Sequence, residues 1–120
     1  MQSEARQNEM NRISIADDFT RFPGGRFRKY GKFSGEQFRD DHLVGVLKNG
    51  DQVTVVLDRT EGYGSSFLEE AFGGLVRSGF TLEFLSDHLH LIAETPAFQP
   101  YVREAWQYIQ DAASREPVEK

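Results

Sequence analysis

Apolar residues recur along this chain with two periods. In "FSGEQFRDDHLVGVLKNG" (33–50), Phe38, His42 and Val46, with Leu43 and Leu47, fall at helical spacing. Ser34 and Gln37 have the spacing of a capping box at its start, and Asn49-Gly50 predicts its stop. In "SSFLEEAFGGLVRSG" (65–79), Phe67, Leu68, Ala71, Phe72, Leu75 and Val76 form one stripe that ends before Gly79. Phe98, Tyr101, Val102, Ala105, Trp106 and Ile109 make the core face of a last helix entered at Thr95-Pro96, in which Pro100 requires an irregular first turn. Three stretches read as strands. "ISIADDF" (13–19) opens on alternating Ile13 and Ile15, "QVTVVLD" (52–58) is short and β-branched like a buried central strand, and "HLHLIA" (88–93) alternates again. "FPGGR" (22–26) predicts a turn, with a hairpin returning through Phe27 to Tyr30. "TLEFLSDH" (81–88) fits a short helix or a strand. The order is roughly β, β, α, β, α, β, α. It predicts an α/β fold: a single small domain over 13–113 in which α-helices pack on a mixed β-sheet, between a flexible N-terminal segment (1–12) and a flexible C-terminal tail (114–120).

Composition narrows the class. A chain of 120 residues with 38% apolar content and ten phenylalanines has enough material for one core and too much for a disordered segment. It shows no apolar run near the ~20 residues of a membrane span, and no signal-peptide pattern at its start. It has no cysteine, which excludes disulfides, thiolate metal sites and cysteine nucleophiles. A cytoplasmic protein is expected. The net charge of −5 argues weakly against a general nucleic-acid binder. Its distribution is uneven, however. "RFPGGRFRKYGK" (21–32) carries Arg21, Arg26, Arg28, Lys29 and Lys32 and no acid, leaving 9 basic and 19 acidic residues elsewhere. With Phe22, Phe27 and Tyr30, this basic loop offers phosphate contact and base stacking. The acidic body favours the other reading, a solvated hairpin whose charges face an acidic partner.

The stretch "GYGSSFLEEAFGG" (62–74) is the candidate for regulation. Ser66 and Glu69 have capping-box spacing, a bland role of about 1 kcal/mol. Capping does not use Ser65, which would lie just outside the helix in the turn after Gly62 and Gly64. A hydroxyl displayed there suits phosphoryl chemistry, because unpaired N–H groups and the helix dipole stabilise added negative charge, while Glu69 and Glu70 on the next turn would repel it. Ser65 and Ser66 are therefore phosphoacceptor candidates. Gly64, Phe67, Glu69, Glu70, Gly73, Gly74 and Arg77 would form a partner-binding surface around them. Gly73-Gly74 costs roughly 2 kcal/mol of helix propensity. That cost has two readings, close approach to the sheet or a flat face for a partner.

Other chemistry is weakly signalled. Asp17-Asp18 and Asp58 resemble the acidic pocket of a response-regulator receiver, but no lysine lies between Lys48 and Lys120 to complete it. His88 and His90, two apart on a strand, would face one side beside Asp87, without further ligands at useful spacing. No acid, base and nucleophile converge. No catalytic residue, metal site or cofactor is predicted.

"ISIADDF", "FPGGRFRKYGKFSGEQFRDDHL", "VTVVLD" and "GYGSSFLEEAFGGLV", in this order, resemble the STAS-like domain family of unknown function over roughly residues 12–112. The family is similar to STAS domains, the fold of bacterial anti-sigma-factor antagonists and sulfate-transporter tails. In the antagonists a strand leads through Asp-Ser-Ser-Gly into a helix. The first serine is phosphorylated by a partner kinase of the GHKL ATPase type, and phosphorylation releases that partner. The resemblance implies a non-enzymatic regulatory or protein-interaction module, with the first serine falling on Ser65 and the second on Ser66. Here Gly64 replaces the aspartate and Phe67 the glycine. The alternative is an accessory interaction protein that uses the basic loop to bind nucleic acid or an acidic partner, without a phospho-switch.

Overall fold

A computed structural model describes residues 11–115. Three parallel strands form the sheet: β1 (Arg12–Ser14), β2 (Val53–Val56) and β3 (Leu89–Ile92), with β2 in the centre. Ile13 lies opposite Val55, and Val55 opposite Leu91. Helix α1 spans 35–48 and α2 spans 65–77. Each is an α-helix with a π-helical middle turn, Arg39–Leu43 in α1 and Glu69–Gly73 in α2. Helix α3 (Leu82–His88) precedes β3, and α4 (Gln99–Arg115) closes the domain. The α/β class and the single small domain are as expected. The expected mixed sheet is parallel throughout among the described residues, because the strand foreseen in 27–30 does not form.

That segment is a loop instead. A 3₁₀ turn occupies Arg28–Tyr30, and the two limbs meet through Gly24 N–H donating to the Phe33 carbonyl at 2.9 Å. The Gly25 and Arg26 carbonyls accept from the Gly35 and Glu36 N–H groups at 2.9 and 3.0 Å. The loop backbone thus satisfies orphan donors of α1, which otherwise need side chains or water. A sheet ladder would compete for the same groups.

The first strand is also shorter than expected. It stops at Ser14, whose Oγ accepts from Asp17 N–H at 3.1 Å while the Asp18 carboxylate accepts from Ser14 N–H at 2.8 Å. This reciprocal cap turns Ile15–Phe19 into a helical turn. Ser34 caps α1 as expected, accepting from Gln37 N–H at 3.0 Å, though the Gln37 amide reaches back to Phe33 N–H rather than to Ser34. Gly50 (φ 83°) and Gly79 (φ 113°) end α1 and α2 in the left-handed region. Residues 82–88 form α3, capped by the Thr81 hydroxyl. His88 therefore ends a helix while His90 lies in β3, so the two do not share a strand face. His88 stacks on Phe84 at 3.9 Å and its Nδ1 meets the Phe84 carbonyl, whereas His90 Nε2 meets the Gln52 side chain at 2.7 Å.

A 3₁₀ turn at Pro96–Phe98 leads into α4, which places Pro100 in the irregular first turn where its missing N–H is tolerated. Val53, Val55, Leu57, Leu89 and Leu91 are buried with Phe38, Phe67, Leu68, Phe72, Leu75 and Ile109 in one core cluster. Helix α2 lies between α1 and α4. No described helix is long and apolar enough to cross a membrane. The expectations for the chain ends fall largely on 1–10 and 116–120, outside the described residues.

Candidate functional site

The entrance to α2 is set by a buried carboxylate. Asp58, just past β2, accepts from Glu94 N–H (2.7 Å), Thr95 N–H (2.9 Å) and the Thr95 hydroxyl (2.7 Å). Burial alone would raise its pKa. Those bonds and the nearby Arg59 outweigh burial and hold the group below its ordinary 3.8. Asp58 is thus a clamp between the end of β2 and the start of α4, with both oxygens engaged. Asp17 pairs with Arg59 at 2.6 Å and Asp18 caps Ser14, so the three aspartates do not form a receiver pocket. No group of three or more metal-ligating side chains converges among the described residues.

Past Asp58 the chain is pinned at two further points. Gly62 sits at φ 110°, and the Tyr63 hydroxyl donates to the Leu57 carbonyl at 2.7 Å, its pKa raised chiefly by burial. Gly64 is then the N-cap, with extended backbone and no side chain to offer (φ −77°, ψ 156°). Helix α2 begins at Ser65. Ser65 is therefore the first helical residue rather than part of the preceding turn, and both Ser65 and Ser66 are exposed. The expected Ser66–Glu69 capping box does not form. Two guanidinium groups draw the Glu69 carboxylate away: Arg26 at 2.6 Å, and Arg77 at 2.8 and 3.0 Å. Charge-assisted bonds of this kind outcompete a neutral N–H. The bonds from Arg77, opposed by burial and reinforced by Arg26, hold the Glu69 pKa below its ordinary 4.5.

Glu70 is buried beside it. Its carboxylate meets Arg39 at 2.6 Å, Arg26 at 3.2 Å and Arg77 at 3.3 Å. Arg39 also donates to the Glu70 carbonyl at 3.2 Å and pairs with Asp40 at 2.9 Å. It thus ties the π turn of α1 to the π turn of α2, and wide turns of this kind recur at functional sites. The two glycines make room for this network. A Cβ on Gly74 would collide with the Arg39 guanidinium. One on Gly73 would sit 2.7 Å from the Glu69 carboxylate and 3.3 Å from the Tyr108 carbonyl. The pair therefore meets ion-paired side chains and α4, rather than the sheet or an open face for a partner, the two readings its sequence allowed. Gly73, Gly74, Phe67 and Glu70 are buried, so in this conformation the outer surface of α2 is Gly64, Ser65, Ser66 and Arg77, with Glu69 partly exposed.

The basic loop is part of the same region. Arg26 is bound by Glu69 and Glu70, and Arg28 pairs with Asp41 at 2.8 Å. Arg21, Lys29 and Lys32 are exposed and make no ion pair among the described residues. The sequence signalled two separate features, a basic loop and a serine helix, and Arg26 joins them. Arg39 carried no signal, because its partner lies 31 positions away. Tyr108 and Glu104 carry a local signal, since their i, i+4 spacing suits the bond they make at 2.8 Å. That bond, then burial, raises the Tyr108 pKa, with the Ser65 hydroxyl acting in the opposite sense, and the first turn of α2 packs beside α4.

A protein-family model described as a STAS-like domain of unknown function matches residues 34–97. The match runs from the cap of α1 through β3 and contains Arg39, Ser65, Ser66, Glu69, Glu70 and Arg77, with the basic loop outside it. No solved structure matches the chain.

Proposed function

The chain belongs to the family of STAS-like domains of unknown function, and from that premise we propose a non-enzymatic regulatory module that docks a protein partner at the entrance of α2. Ser65 is the switch in this reading, phosphorylated by a partner of the GHKL ATPase/kinase class. One observation carries it: Ser65 and Ser66 are both exposed at the helix start, and neither hydroxyl caps the helix. Gly64 supplies no side-chain cap, so first-turn N–H groups remain open to an added anion, and the helix dipole favours it.

The repulsion expected from Glu69 and Glu70 is offset, since Arg26, Arg39 and Arg77 hold both carboxylates. A phosphate at Ser65 would then change the charge of a docking face whose rim is Arg77 on α2 and Glu104 and Tyr108 on α4. Gly64, in the place of the antagonists' aspartate, carries no charge and so adds no repulsion to a phosphate at Ser65.

The test is to incubate the protein with ATP and a kinase-class ATPase encoded beside its gene. Phosphate is then located by mass spectrometry and binding measured for Ser65→Ala and Ser65→Glu. Phosphorylation at Ser65, with partner binding kept by Ser65→Ala and lost by Ser65→Glu, is the expected result. Unmodified serine together with binding insensitive to Ser65→Glu removes the switch.

A further inference from the structure

The three exposed large apolar side chains among the described residues all lie on one loop: Phe22 (67% exposed), Tyr30 (73%) and Phe33 (37%). The same loop carries the basic run. Nothing in the fold requires those rings to face water. Phe33 keeps an edge contact with Phe19 at 5.5 Å, but Phe22 and Tyr30 are displayed. The loop is also held in shape. Gly24 to Phe33 pairing sets its limbs side by side, and a Cβ on Gly24 would collide with the Lys32 carbonyl. Arg26 and Arg28 are spent on carboxylates of the body, which anchors the loop and leaves Arg21, Lys29 and Lys32 as its outward charges.

Cations and rings are interleaved. Lys29 Nζ lies 5.2 Å from the Tyr30 ring centroid, and Tyr30 lies 6.0 Å from Phe27. Phe27, Arg28, Lys29 and Glu36 line an open pocket of about 360 Å³.

We infer that this loop binds single-stranded nucleic acid: bases stack on Tyr30, Phe22 and the Phe27 pocket, while Lys29, Lys32 and Arg21 meet the phosphates. An acidic protein surface was the favoured partner of a purely basic hairpin. Arginine forks are what best grip carboxylates, and here two of those forks are already occupied. What remains outward is two lysines, a single arginine (Arg21) and flat apolar faces, the combination that recognises a strand of bases without a fixed sequence. A duplex hides its base faces and would meet the acidic body, so the single strand is the form that fits.

The full chain is titrated with labelled oligouridylate and oligothymidylate at several salt concentrations, with no protein partner present. Saturable binding is expected at low salt. The slope of log K against log salt should be about −2, the value for roughly three phosphates on a single strand. Tyr30→Ala should weaken binding about tenfold while Tyr30→Phe keeps it, since stacking needs the ring and not the hydroxyl. Lys29→Glu with Lys32→Glu should abolish it. All these side chains are exposed, and thermal melts of the variants check that the fold is kept. Absence of saturable binding, indifference to Tyr30→Ala, or binding only to polyglutamate or anionic vesicles would each overturn the proposal.

Discussion

At the scale of single residues, position on the chain and role in the structure part company at Glu70. It sits two places from the apolar Leu68 and was read as a surface charge of a docking face. It is buried, with Arg39, Arg26 and Arg77 around it. Arg39 is nearly as buried, so removing Glu70 leaves its guanidinium with only the more exposed Asp40 as an acidic partner. Glu70→Ala is expected to cost about 3 kcal/mol in urea unfolding. Arg77→Ala should cost well under that, because Arg77 is itself partly solvated and Glu69 keeps its bond to Arg26. Gly35 belongs to the same scale. A Cβ there would meet the Phe67 carbonyl at 2.5 Å and Ala71 N at 3.1 Å, so the start of α1 rests directly on the backbone of α2. No local pattern announces such a contact, since it depends on how two helices cross.

At the scale of elements, the two serine-led helices look alike in sequence and differ in fact. Both Ser34-x-x-Gln37 and Ser66-x-x-Glu69 fit the cap pattern. Ser34 caps α1 at 3.0 Å, and Ser66 caps nothing because Glu69 is claimed by Arg26 and Arg77 and the chain enters α2 two residues earlier, at Gly64. Ser34→Ala is therefore expected to lower stability by about 1 kcal/mol, whereas Ser66→Ala should stay within about 0.5 kcal/mol. Paired denaturation curves distinguish the two. The stripes of α2 and α4 and the central strand were legible because each buries one face with its own period. The first strand was misread past Ser14 for a physical reason: Ser14, Asp17 and Asp18 close a turn that outweighs the alternation of Ile13 and Ile15. The predicted hairpin failed because the carbonyls of Gly25 and Arg26 are taken by α1.

At the scale of the whole molecule, carboxylates hold the parts together. Asp58 fastens β2 to the entry of α4, and Glu69 fastens α2 to the basic loop. Both have folded-state pKa values below their ordinary 3.8 and 4.5, so the folded state binds fewer protons than the unfolded chain in acid. Their stabilisation is complete above those ordinary values and is lost as the pH falls through the lower folded ones. Melting temperature should therefore be nearly level around neutral pH and drop as the pH falls below about 4.5, with Asp58→Asn less stable at neutral pH and flatter in acid. By itself, the sequence determined the α/β class, the central strand, the apolar faces and stops of the helices, and the family resemblance, all of which rest on local periodicity, turn chemistry and short motifs. Only the tertiary structure decided that the sheet is parallel, that Arg26 is an anchor, that Gly73 and Gly74 clear space for Glu69, Arg39 and α4, and that the basic loop and the serine helix form one region. Those outcomes depend on charges and backbones brought together from distant positions, and the energy of such pairs is set by their geometry and burial, which no spacing along the chain encodes.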